Sequence, residues 1–547
     1  MKTFFSQSNK AVYFKYIIIF LPVLLTACGV SPKKFTVSEQ SKQFVDNLTS
    51  AGMATPPISK QLSLHHAIAR AVKFNLDYRV YIAEQAIAQT DLSVTNLNTL
   101  PNLIANGGYV DRNNVNAVLS PVTGQVSTAE SRVRWLGDMS FSWNILDFGV
   151  SYFEAKQKAD QVLIAEQKRR EMLQRLAKDT RISFWRAMAA QNYIYNSNGF
   201  KSELKEAVKL SEQAQSEKHI SPIEAARYRR YLWAVYNQIT KLRYDLARAK
   251  PELMSLVMAP SGSHVKLKVD KQERIVLPKN LPPKLEQLEE IALFLRPELQ
   301  EENYRKRISL NEIHKARVRL LPGLELNYGS YYDSNSFLVN NDWKILGLSL
   351  TWNILKSFAN LKGVTLAKQQ AILSDVRRLA LSMAIITQVD ISKAMYDMAK
   401  EQLYTSRKLL ESEEAVYKTI QKQAEVKLEN KLSLTLAKAG VILTKLKYDL
   451  AYTDYQAAGA TLIHSLGMDP MRCISSVNLP IEQLTKEIHE TMINGTQQTM
   501  LLKVEHGKPE KLMMACQKQF QTKPIDELVP SAKKHAERHQ HKKQNKV

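Results

Sequence analysis

Residues able to do chemistry are few in this chain and poorly placed for it. His65-His66 sit side by side, His535, His539 and His541 stand four and two apart near the C-terminus, and the three cysteines are Cys28, Cys473 and Cys516. The tail histidines have a spacing that a metal ion could use, but they lie in a polar, lysine-rich tract where solvated side chains are expected. Adjacent histidines on a helix point to different faces and are expected at the surface. No Gly-rich phosphate loop, His-Glu-x-x-His pair, nucleophile elbow or Cys-x-x-Cys occurs. The sequence therefore predicts no enzyme, no catalytic residue, no cofactor and no metal.

Cys28 has a setting of its own. Lys2, Lys10 and Lys15 precede the apolar stretch 16–27, which is too short for a spanning helix and has the layout of a secretory signal. It ends in Leu25-Thr26-Ala27-Cys28-Gly29, which resembles the lipobox of bacterial lipoproteins. That resemblance implies cleavage before Cys28, acylation of its thiol and new amino group (palmitate being one such chain), and, with Gly rather than Asp at 29, delivery to the outer membrane. An oxidising periplasm would permit a disulfide between Cys473 and Cys516, and the sequence leaves that pairing open.

The elements that organise the chain announce themselves by a period of two. Trp-Asn-Ile-Leu occurs at 143–146 and again at 352–355. In the first copy's run Met139, Phe141, Trp143 and Ile145 alternate with Ser140, Ser142 and Asn144; in the second, Leu346, Leu348, Leu350, Trp352 and Ile354 alternate with Gly347, Ser349, Thr351 and Asn353. Each run has an upstream partner, marked by Leu103, Ala105, Gly107 and Tyr109 and by Leu324, Leu326, Tyr328 and Tyr332. Strands are thus predicted over about 103–111, 138–148, 323–332 and 344–354. Roughly 9 to 11 residues also suffice for a tilted strand to cross a bilayer. Four strands cannot close a barrel, and open edges in lipid cost several kcal/mol per unpaired group, so copies must associate.

The remainder reads as a duplication rich in long helices. Leu100-Pro101 matches Leu321-Pro322, and the segment 75–78 matches 296–299, both at an offset of 221; Trp-Asn-Ile-Leu repeats at 209, and 255–260 matches 465–470 at 210. The interstrand loop at about 112–137 is therefore longer than that at about 333–342. From Val364 to Ala439 there is neither Gly nor Pro. Rods of 60 to 70 residues would be roughly 90–105 Å long and find burial by packing side by side.

In this order, twice over, the motifs resemble the TolC-like outer membrane efflux proteins, across about 62–470. The resemblance rests on Leu62-Ser63-Leu64-His65-His66-Ala67-Ile68, Leu-Pro before each first strand, Arg296-Pro297-Glu298-Leu299, Trp143 to Gly149, Ile220-Ser221-Pro222-Ile223-Glu224 and Ser465-Leu466-Gly467. It implies a membrane α+β fold: four transmembrane strands per protomer in a twelve-stranded trimeric barrel, continuous with a periplasmic helical, coiled-coil barrel. The expected organisation is signal peptide 1–27, lipidated linker 28–61, first repeat 62–260 (long helix pair 150–257), inter-repeat linker 261–283, second repeat 284–470 (long helix pair 358–467) and a basic, disordered tail 471–547. The implied function is passive conduction: the outer channel of a tripartite export system for small molecules, with a periplasmic adaptor and an inner membrane transporter of RND, ABC or MFS type as partners beside outer membrane lipid.

Site expectations follow from that picture. Ser140, Ser142, Asn144, Ser349, Thr351 and Asn353 would line the pore. The periplasmic tips, which would dock the adaptor and hold the gate, comprise Lys218, His219, Ser221, Pro222 and Glu224 in the first half and Glu425, Lys427, Glu429, Asn430, Lys431 and Ser433 in the second. At both turns the family's usual Gly is missing, with Lys218 and Asn430 in the neighbourhood. The net charge of +23 and pI of 9.6 would suit a nucleic-acid binder, but a secreted lipoprotein meets no chromosome, and no nucleic-acid partner is expected. A type I secretion outlet, or a poreless periplasmic spacer, is the alternative reading.

Overall fold

The computed structural model describes residues 34–498 apart from 54–55, 57, 59–60, 198, 261–262, 264, 270–283, 427–430 and 469–478. Cys28, Cys473, Cys516 and the tail histidines lie outside the described residues, as do Lys427, Glu429 and Asn430. There are two compact units, one ending at Pro56 and one beginning at Pro57. In the first, α1 (Val37–Met53) starts with a capping box: Glu39 N–H donates to Thr36 Oγ1 at 3.3 Å while the Glu39 carboxylate accepts from Thr36 N–H at 2.7 Å.

The second unit opens with β1 (Gln61–Leu62), which pairs in parallel with β6 (Lys266–Leu267). Ser63 caps α2 (Leu64–Phe74), and Asn75 breaks the chain before α3 (Leu76–Leu97), its side chain accepting from Tyr78 N–H at 3.0 Å. In the second half α8 (Leu285–Leu295) and α9 (Pro297–Val318) meet at Arg296, 221 residues on. The two breaks have nearly the same backbone, φ −60°, ψ 125° at Asn75 and φ −63°, ψ 123° at Arg296, the latter enforced by Pro297. The repeat is thus physical as well as textual.

After α3 come β2 (Asn102–Asp111), the small hairpin β3 (Asn116–Leu119) and β4 (Val126–Glu130), and β5 (Val133–Asn144). Then follow α4 (Ile145–Ser197), α5 (Phe200–Ser216), α6 (Pro222–Leu246) and α7 (Ala249–Leu256). After α9 come β7 (Gly323–Asp333), β8 (Asp342–Thr351), α10 (Ile354–Glu425), α11 (Lys431–Ser465) and, beyond the repeats, α12 (Ile481–Gln498). Strands β2, β5, β7 and β8 form one antiparallel sheet in that order, so the two halves join through the central β5–β7 pair.

Several boundaries differ from the sequence expectations. β5 begins at Val133 and stops at Asn144, where it was expected over about 138–148, because Asn144 Oδ1 accepts from the N–H groups of Leu146 (3.0 Å) and Asp147 (3.2 Å) and starts α4 there. β8 likewise ends at Thr351, short of 354. The loop expected at 112–137 contains the β3–β4 hairpin. The first long helix pair is four helices, broken at Gly199 with φ +83° and after Leu246, whereas α10 runs unbroken for 72 residues, about 108 Å. The closing turns align at 209, not 210: Ala259 N–H donates to Met254 O and Met468 N–H to Ile463 O, which makes Met258 (φ +51°) the counterpart of Gly467 (φ +66°). The tail, expected disordered from 471, includes α12, whose Leu484 and Ile488 are fully buried and which packs on α2.

The main core gathers Leu64, Ile68 and Val72 of α2 with Phe184, Leu204, Leu232, Ile239 and Leu253. α6 buries Ala225, Leu232, Ile239 and Leu246 at intervals of seven with Val235 between, a narrow coiled-coil seam. A smaller core around Leu288, Leu299, Ile385, Val389, Leu462 and Leu466 serves the second half.

Candidate functional site

The sheet has two unlike faces, and its register decides which residue lies on which. Ser142 pairs with Asn102 and Asn327, Asn144 with Glu325, Glu325 with Ser349, and Gly323 with Thr351. Ser140, Ser142, Asn144, Ser349 and Thr351 therefore share one face, as expected. The other face carries Leu103, Phe141, Tyr328 and Leu346 in one row and Trp143, Leu326 and Leu348 in the next. Within one chain the β8 residues of this face have no cover: Leu346, Leu348 and Leu350 are 74%, 68% and 69% exposed. β2 and β8 each offer one unpaired edge.

Asn353 departs from its expected place. It lies past the end of β8, where its side chain accepts from Lys356 N–H at 2.9 Å and caps α10. Asn144 does the same work for α4 from the last position of its strand. The repeated Trp-Asn-Ile-Leu thus spells a strand ending directly in a capped helix. Beside the first joint Trp143, Phe148, Tyr152 and Phe153 form a chain of ring contacts, centroids 5.6, 6.5 and 5.6 Å apart, with Lys156 over Tyr152 at 4.5 Å. Aromatic residues of this kind favour the boundary between lipid and water.

At the sheet's other end the loops of the two halves are tied together. Asn335, 3% exposed, accepts from Ser131 N–H at 2.8 Å and Ser131 Oγ at 3.0 Å and donates to Ala129 O at 2.9 Å. Arg134 bridges Asp333 at 3.3 Å and Glu130 at 3.5 Å.

The first helix tip is well formed. Lys218 occupies the left-handed region, φ +58°, in the turn where Gly is usual, and His219 N–H donates to Ala214 O at 2.9 Å to close it. Ser221, Pro222 and Glu224 then build a capping box for α6, with Glu224 N–H donating to Ser221 Oγ at 3.2 Å. The backbone N–H and hydroxyl of Ser221 hold the Glu224 carboxyl below its ordinary range. His219 Nδ1 lies 3.2 Å from Glu217. At the second tip, Glu425 closes α10, Lys431 opens α11 and Ser433 lies in its first turn. Lys427, Glu429 and Asn430, which lie between them, are outside the described residues.

Two features had no counterpart in the sequence expectations, and a third runs against them. α10 carries a stripe of exposed apolar residues at heptad spacing, Ile372, Val376, Leu379 and Met383, resumed by Ile391, Met395 and Met398. The 3.5-residue period was there to be counted. Arg296, 5% exposed, pairs with Glu298 at 2.8 Å and donates to Gln388 and to the carbonyls of His464 and Ser465, pinning the α8–α9 break to the end of α11. His65, expected at the surface, is buried against α12, its Nδ1 3.3 Å from His489 Nδ1. Among the described residues no helix is long and apolar enough to cross a membrane, and no group of three or more metal-binding side chains occurs.

An antiparallel sheet with one apolar face, set directly on helices of 53 and 72 residues, is the architecture of the TolC-like fold. Residues 288–468 match the family model for outer membrane efflux proteins. The chain is similar in fold to a membrane protein from Pseudomonas aeruginosa (TM-score 0.60, 16% identity, 76% of this chain and 91% of that one). It is similar also to the CmeC outer membrane channel of Campylobacter jejuni (0.57, 13%, 85% and 98%) and to the open state of the Neisseria gonorrhoeae MtrE outer membrane channel (0.56, 15%, 74% and 88%). No curated protein matches it in sequence. By fold, then, the chain is TolC-like, and its second half carries the match to the outer membrane efflux protein family.

Proposed function

We propose that three copies of this chain close a twelve-stranded barrel in the outer membrane, extended into the periplasm by their helices, and that the resulting tube is a passive conduit for small molecules. The observation that carries the reading is the sheet: four strands of 10 to 12 residues, apolar on one face and polar on the other, with both edges unpaired. Such edges are tolerable in lipid only when neighbouring copies complete them. The open apolar stripe of α10 offers the matching seam between helices of adjacent subunits. The tube holds no energy source, so export is driven by an inner membrane transporter of RND, ABC or MFS type through a periplasmic adaptor docked at the tips, Lys218 to Glu224 and Glu425 to Ser433. Cys28, acylated, anchors each subunit from the periplasmic side. Glu425, Lys427, Glu429 and Lys431 form the gate at those tips, and charge reversal at Glu425 and Glu429 raises single-channel conductance.

The deciding experiment is made on the mature protein in mild detergent and in planar bilayers. A trimer that conducts supports the reading; a monomer without conductance, its Trp-Asn-Ile-Leu tracts open to water, overturns it. Drug sensitivity of a deletion strain against its secreted-protein profile then separates small-molecule export from a type I secretion outlet.

A further inference from the structure

One row of the sheet's polar face differs from the rest. Asn106, Asp138, Tyr331 and Trp343 stand side by side across all four strands, on the face that carries Ser140, Ser142 and Ser349, and near the looped end. Tyr331 folds back over Gly329, where an added Cβ would lie 2.6 Å from its ring, and stacks on Trp343 with centroids 5.8 Å apart and planes 12° from parallel. Trp343, on the edge strand β8, keeps 39% of its surface exposed within one chain. Asn106 Nδ2 donates to Asp138 Oδ2 at 3.0 Å and fixes the carboxylate beside the rings. Glu325 lies on the same face, nearer the helices. The only basic side chain on this face of the four strands, Arg134, is bridged to Asp333 and Glu130. In a chain whose total is +23, this face is therefore acidic.

We infer that this row is a contact site for flat aromatic cations passing along the conduit. The indole and phenol rings present the negative face of their quadrupoles, and Asp138 supplies a full negative charge within the same row. A cation with a planar ring satisfies both at once and can also stack on the indole; an anion meets repulsion from Asp138 and Glu325, and a ringless cation has the charge and the quadrupole but nothing to stack. The inference rests on the reading of the polar face as the conduit wall, and three copies would repeat the row around the lumen.

The test uses the full trimer in planar bilayers. Under a KCl gradient the wild-type reversal potential indicates cation preference, and Asp138→Asn combined with Glu325→Gln lowers the cation-to-anion permeability ratio by about twofold or more. Ethidium interrupts the current with dwell times about two- to fivefold longer in wild type than in Trp343→Ala, Trp343→Phe keeps most of that dwell, and tetrapropylammonium, which feels the rings but cannot stack on them, shows a smaller difference among the three than ethidium does. Equal ethidium dwell in wild type and a conducting Trp343→Ala overturns the inference while leaving the conduit intact. Loss of conductance in Trp343→Ala alone shifts the reading to Trp343→Phe, where a dwell as short as tetrapropylammonium's overturns it. Absence of conductance in the wild type removes the conduit reading, and the inference with it.

Discussion

Replacing Gly467 by Ala puts a methyl group where backbone already stands. Gly467 has φ +66° in the turn that ends α11, and a Cβ there would lie 2.8 Å from Arg296 N and from Leu295 C and 3.0 Å from Arg296 Cα. None of these atoms can swing aside as the end of a side chain can. The left-handed conformation costs an L-residue about 1–2 kcal/mol, and forcing a methyl into a packed contact costs about 1–3 kcal/mol more. The displaced segment also includes Arg296, whose hydrogen bonds to Glu298, Gln388 and the end of α11 depend on its position. Gly467→Ala is therefore expected to destabilise by about 2–5 kcal/mol. Met258, its counterpart in the first half, already bears a side chain at φ +51°, so Met258→Gly is expected to range from neutral to about 1 kcal/mol stabilising, the relief of strain being offset by the entropy of Gly. Because large membrane oligomers unfold irreversibly, the assay is the half-life of detergent-solubilised protein at a fixed elevated temperature, followed by circular dichroism. A tenfold change in rate corresponds to about 1.4 kcal/mol. If Gly467→Ala lasts as long as wild type, the argument from this turn is refuted.

Burial, reinforced by the charges of Lys178, Arg296 and Arg175, pushes the His464 imidazole down to about 3. The unfolded chain takes up that proton near 6.5, so below this pH the unfolded state binds more protons and stability falls, the loss growing until about pH 3. Asp449 and Asp454, pushed up by burial, oppose the trend on their own protonation, and they are common to both proteins when wild type is compared with His464→Gln. The variant should show a shallower decline in thermal half-life from pH 7 to pH 5; an unchanged slope rules His464 out. Leu348→Arg on the apolar face should cost about 2–4 kcal/mol if that face meets the lipid midplane, read as loss of trimer from outer membrane fractions, whereas Ser349→Arg on the opposite face should assemble and change ion selectivity. Cys28→Ala should abolish incorporation of labelled palmitate; continued labelling would place the acyl chain elsewhere.

The sheet was legible because its signal is local: alternation of Phe141, Trp143, Leu348 and Leu350 with Ser142 and Ser349 fixes both strand and face. The strand ends were less so, because Asn144 and Asn353 read equally as the next polar residue of a strand or as a helix cap, and only the position of the following N–H groups separates the two. The 221-residue register survived at Asn75 and Arg296, where Asn and Pro dictate the backbone. At the closing turn the offset read as 210 is 209 in the backbone, since Ser-Leu-x-Met-x-Pro aligns by side chain while the chain turns by φ. Burial of His65 depends on α12, more than 400 residues away, and the row from Asn106 to Trp343 depends on a register spanning both repeats; no pattern within one segment could disclose either.

The way strand passes into helix limits how such a tube could open. At Asn144 the ladder and the helix share no intervening loop, and at Trp352 and Asn353 only two residues separate them. A joint so short has no swivel, so torsion applied at the far tips must be absorbed along the rods themselves. The two halves are unequally built for this: the chain through α4 and α5 is broken at Gly199, while α10 has no such break. Untwisting would thus pivot on one rod of each subunit and ride along the other, with the membrane end left still.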